Sequence, residues 1–81
     1  MIGSVEIDTG AKNALLKRKS LLAVGVQNIL HQFGNGEAFE IVDEEGHVVA
    51  VAKSKISSKQ LADSSNKQNI ILAHADEIVL L

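Results

Sequence analysis

Between Glu37 and Lys53 the chain reads "EAFEIVDEEGHVVAVAK", two β-favouring segments separated by an acidic turn that closes on Gly46. β-Branched and aromatic side chains suit a pleated, half-buried surface, and a turn of Asp43, Glu44, Glu45 and Gly46 folds the segments back as a hairpin. Both faces of "HVVAVA" are apolar and its side chains are small. This predicts a strand buried on both sides, near the interior of a small barrel.

The flanking sequence extends the β pattern. "SVEID" at 4–8 alternates Val5 and Ile7 with Glu6 and Asp8, the period of a half-buried strand. Asp8 and Thr9 then supply N-cap chemistry, and Ala11, Ala14 and Leu15 recur at helical spacing, so a short amphipathic helix is expected over residues 10–18. "VGVQNILHQF" reads as extended, and "GNG" at 34–36 ends it in a turn. "SSKQLAD" at 57–63 opens with cap residues and predicts one or two helical turns; "SSNKQN" at 64–69 predicts a polar loop. "IILA" and "EIVLL" close the chain as two short strands with "HAD" turning between them. The expected fold class is mostly β with short helices.

A chain of 81 residues, 46% of them apolar, supports one modest core, so a single domain over residues 1–81 is expected. There is no cysteine, which removes disulfides and thiolate metal sites and fits a cytoplasmic protein. The longest apolar runs fall far short of the roughly 20 residues that span a bilayer, and no signal-peptide pattern opens the chain.

Chemistry-bearing patterns are few. His31, His47 and His74 lie too far apart to ligate a metal from one element. "FGNGEAF" places Phe39 where a phosphate-cradling loop needs its third glycine, and no Gly-Lys-Ser/Thr occurs. No nucleophile elbow is present, and Glu44 and Glu45 fall on a turn expected to be exposed. No catalytic residue, cofactor or metal is therefore expected.

The net charge of −2 hides an uneven distribution. Lys12, Lys17, Arg18 and Lys19 form one cation cluster and Lys53, Lys55 and Lys59 another, while five of the ten acids fall between Glu37 and Glu45. A fold that sets residues 12–19 beside 53–59 and points the acidic turn elsewhere would carry one basic face. Lys17, Arg18 and Lys19 also have a purely structural use, because cations complement the negative end of a helix dipole.

The segments "VEIDTGAKNALLKRKSLLAVGV", Phe33 with Gly36, "FEIVDEEGHVVAVAKSKISSKQL" and "HADEIVLL" together resemble the C-terminal PUA domain of the glutamate 5-kinases. The resemblance runs from about residue 3 to 81 and implies a PUA-like pseudo-barrel of about six strands. The chain departs from the pattern at Ala23, where proline is usual, at His31, where glycine is common, and in lacking both tyrosine and a glycine before "SKISS". Nothing in it resembles the kinase half of those enzymes, so a domain of a larger protein and a small independent protein are both compatible with it.

The resemblance implies a non-catalytic module whose RNA-contacting surface would comprise Lys12, Lys17, Arg18, Lys19, Gly25 and Val26, with Lys53 and Lys55 from the later strands. Phe33 and Phe39 are the only aromatics and are expected in the core, so RNA is expected to be held by shape and phosphate contacts rather than base stacking. The expected partner is structured RNA, not DNA or membrane. The alternative is an accessory or oligomerisation module that binds a kinase domain or itself through Leu21, Leu22, Leu80 and Leu81.

Overall fold

The computed structural model describes residues 2–63 and 70–81. β1 (Gly3–Ile7) leads into α1 (Thr9–Leu16), β2 (Leu21–Leu22), a 3-10 turn over Ala23–Gly25 and β3 (Val26–His31). The hairpin strands β4 (Ala38–Val42) and β5 (Val48–Lys53) follow, then α2 (Ser58–Asp63), β6 (Ile71–Ala73), a 3-10 turn over Ala75–Glu77 and β7 (Ile78–Leu80). The polar stretch at 64–69, expected to loop, lies outside the described residues.

β3, β1, β4, β5 and β7 form a five-stranded sheet in that order, and β2 pairs with β6 in a separate two-stranded ladder. β1 runs parallel to β4, with α1, β2 and β3 making the crossover, and every other pairing is antiparallel. The fold is thus mostly β with short helices, a pseudo-barrel that does not close. The short Leu21–Leu22 pairing is the strand that periodicity does not reveal.

The expected hairpin forms, with Phe39 opposite Ala52 and Ile41 opposite Ala50. Its turn is clamped by the Asp43 carboxylate, which accepts the backbone N–H groups of Glu45 and His47, each at 2.9 Å. Gly46 sits at φ +87°, the left-handed region where a side chain is costly. β5 departs from expectation in one respect. Ala50 and Ala52 are buried, but Val49 and Val51 are half-buried and Val48 is exposed, because an open sheet is fully covered on one face only.

α1 begins where Asp8, in extended conformation, accepts the Ala11 N–H at 2.7 Å. It ends earlier than residue 18. Arg18 N–H donates to Leu15 O and Lys19 N–H to Ala14 O, the paired bonds of a Schellman motif, and this motif turns Arg18 to φ +60°. Glycine is the usual occupant, since a side chain there costs about 1–2 kcal/mol. α2 is held by a reciprocal capping box: Ser57 Oγ accepts the Gln60 N–H while Gln60 Oε1 accepts the Ser57 N–H.

The core gathers Val5 and Ile7 from β1, Leu15 from α1, Ile41 from β4, Leu61 from α2 and Leu72 from β6 around Phe39. Phe33 and Phe39 are both buried there and stack with centroids 4.9 Å apart. Of the leucines weighed as partner contacts, Leu21 is buried and Leu80 half-buried, whereas Leu22 and Leu81 are exposed. Among the described residues no buried side-chain nitrogen or oxygen lacks a partner, and no helix is long and apolar enough to cross a membrane.

Candidate nucleic-acid interface

α1 and the β2–turn segment lie so close that only small residues fit between them. An ideal Cβ on Gly25 would stand 2.6 Å from the Ala11 Cβ, inside any tolerable contact. The chain is pinned there by the Asp8 N–H, which donates to Gly25 O at 3.0 Å, and by the Ala23 N–H, which donates to Ile70 O at 2.9 Å. The second bond uses a donor that proline at position 23 would lack.

Above this contact opens an apolar groove of about 510 Å³ between Gly10, Ala11 and Ala14 of α1 and Leu22, Val24 and Gly25 opposite, with Lys19 and Ser20 at one end. Leu22 and Val24 alternate with buried Leu21, Ala23 and Gly25, so the exposed half of an apolar run forms one wall. Gly25 is buried in the floor, and Val26 is half-buried against the core. Sequence reasoning missed Ser20 and Val24 as lining residues, Val24 because "LLAVGV" reads as uniformly apolar, and offered Leu22 only as a contact for a protein partner.

The cations fall into distinct settings. Lys17, Arg18 and Lys19 are exposed at the C-terminal end of α1, and among the described residues none has an ion-pair partner. Lys12 faces the other way, its ammonium 3.0 Å from Asp43 Oδ2. The acidic turn therefore does not point elsewhere. It docks on α1 and β3, where Glu44 accepts the Thr9 hydroxyl at 2.7 Å and the Gln27 amide at 3.0 Å.

These contacts leave an electrostatic signature. The His47 N–H and the Lys12 ammonium hold the Asp43 carboxyl down to about 2, and the hydrogen bond from Lys12 in turn raises the lysine. The Thr9 hydroxyl likewise lowers Glu44.

Lys53 ends β5, and Lys55 follows it, its N–H donating to Leu72 O at 2.7 Å. The Lys55 ammonium lies 3.0 Å from Glu77, whose carboxyl it lowers. The 75–77 turn also reaches the other cluster: the Ala75 N–H donates to Ser20 Oγ at 3.1 Å, and Asp76 shares a hollow with Arg18. The two cation clusters thus flank one acidic turn rather than merging into a continuous basic face. Among the described residues no group of three potential ligands could hold a metal ion.

In class the molecule is a small, mostly β domain with an open apolar groove that has Lys19 at one end. The comparisons narrow this: the PUA domain family model matches residues 3–74, and the chain belongs to that family. Glutamate 5-kinase of Bacillus cereus (strain B4264) is 37% identical over 68 residues, which cover 83% of this chain and 18% of that enzyme. This chain spans between about a fifth and a quarter of the length of such curated relatives. A PUA domain from Aeropyrum pernix K1, solved as a tartrate complex, superimposes with a TM-score of 0.77 at 23% identity over 90% of this chain and 42% of that one. An H/ACA ribonucleoprotein bound to a substrate RNA gives 0.77 at 18% identity, covering 90% of this chain and 23% of its own.

Proposed function

We propose that this domain is a non-catalytic RNA-binding module that holds structured RNA by shape and phosphate contacts. The observation that carries the reading is the run Lys17–Arg18–Lys19 at the C-terminal end of α1, exposed and without ion-pair partners among the described residues, with Lys19 at one end of the groove. Phosphates neutralise such a cluster, whereas Lys12 and Lys55 already have carboxylate partners. Lys12 and Lys55 accordingly contribute less, and Lys53, whose charge also acts on Glu77, adds to the field around the site; Gly25 lines the groove and Val26 packs against the core rather than touching RNA. The ribonucleoprotein among the fold's neighbours supports a nucleic-acid role for this architecture.

The relatives' name suggests a second reading, in which the domain docks on a kinase domain or on a second copy. Exposed Leu22, Val24 and Leu81 are the observation that favours it. Salt separates the two. Three phosphate contacts predict that affinity for a structured RNA falls about 40-fold between 50 and 200 mM salt, and that Lys17→Glu with Arg18→Glu abolishes binding. Fluorescence anisotropy checks both. Binding indifferent to salt and to charge reversal, or self-association in its place, would select the docking module.

A further inference from the structure

Arg18 occupies the one left-handed position among the described non-glycine residues, at φ +60°. The Schellman bonds that close α1 impose this conformation whatever the side chain, and glycine adopts it freely. The helix dipole does not explain the arginine, because Lys17 and Lys19 already place cations on either side. Packing does not explain it either. Arg18 is exposed, and among the described residues no hydrogen bond or ion pair engages its guanidinium. Five donors are therefore left for a ligand, in a fork that matches two oxygens of one phosphate. Asp76 borders a hollow that Arg18 also lines, alongside Leu15 and Leu80, without pairing with it.

A strained backbone that carries an unengaged guanidinium is the mark of a residue retained for binding rather than folding. The geometry points to Arg18 as the phosphate anchor of the interface, ahead of its neighbours Lys17 and Lys19, held in place at the expense of fold stability. This rests on the RNA reading. It adds that stability and binding oppose each other at one residue.

The test compares Arg18→Gly, Arg18→Lys and Lys17→Ala with the unaltered 81-residue chain, reading thermal midpoint and affinity for a structured RNA hairpin at 50 and 200 mM salt. Arg18→Gly is expected to raise the midpoint by about 4–8 °C, because the strain is relieved and the helix terminus is kept. The same variant is expected to bind about 10-fold more weakly, with a salt slope shallower by about 1. Arg18→Lys should lose several-fold in affinity although the charge is kept, since an ammonium cannot form the fork, and Lys17→Ala should lose less than Arg18→Gly. Arg18→Gly that binds like the unaltered chain, or that melts at a lower temperature, overturns the anchor while leaving the RNA reading intact. No RNA binding by the unaltered chain overturns both.

Discussion

Asp43 shows how one side chain can fix the relation between three elements. Its carboxylate closes the β4–β5 turn through two backbone N–H groups and reaches across to Lys12 on α1. The side chain is 4% exposed, so removing one partner leaves the others short of a bond where water cannot replace it. A carboxyl lowered from 3.8 to about 2 by folding binds protons more tightly in the unfolded chain. Its contribution is therefore complete above about pH 4 and is lost as pH falls through about 2. Asp43→Asn is predicted to lower the thermal midpoint at pH 7 by several degrees and to flatten its fall between pH 4 and pH 2. Parallel acid profiles for the two proteins would show that Asp43 is not the group responsible. The sequence marked Asp43 only as a turn residue. Its bond to Lys12 spans 31 positions, a separation that no local pattern encodes.

At the scale of elements, local chemistry was a good guide wherever the determining contacts were local. The hairpin, the N-cap of α1 and the capping box of α2 each depend on residues a few positions apart, and each forms as the sequence implies. The end of α1 was less legible, because its left-handed terminus is filled by arginine instead of the glycine that would announce it. β2 was hidden for another reason: Leu22 and Val24 are apolar yet exposed, which erases the alternation that marks a strand. Packing between α1 and the 23–25 turn can be tested directly. Gly25→Ala drives a methyl into that of Ala11 and is predicted to cost about 1–3 kcal/mol. Ala11→Gly alone costs about 1 kcal/mol of helix propensity, but in combination it makes room for the new methyl. Urea denaturation should therefore find the double variant more stable than the sum of the single losses, by about 0.5 kcal/mol or more. Strict additivity would mean that the two elements do not touch as described.

For the whole molecule, the balance of charge matters more than its total. A net charge of −2 gives no sign of a polyanion partner, and the fold separates the cations further. Lys12 is neutralised by the acidic turn and Lys55 by Glu77, whereas Lys17, Arg18 and Lys19 at the end of α1, like the separate Lys53 and Lys59, have no ion-pair partner among the described residues. The two clusters were legible in the sequence, but the 75–77 turn that lies between them and the docking of the Asp43 turn on Lys12 were not, since which acid meets which base is decided by topology. The most direct test of the account is to titrate the isotopically labelled domain with a structured RNA at 50 and 200 mM salt while following every backbone amide. The account predicts shifts centred on residues 17–25, weaker shifts at 53–55, and a collapse of both at the higher salt. Amides of 17–25 that stay unmoved while the domain remains folded, or shifts that ignore salt and gather around Val79 and Leu81, would contradict it.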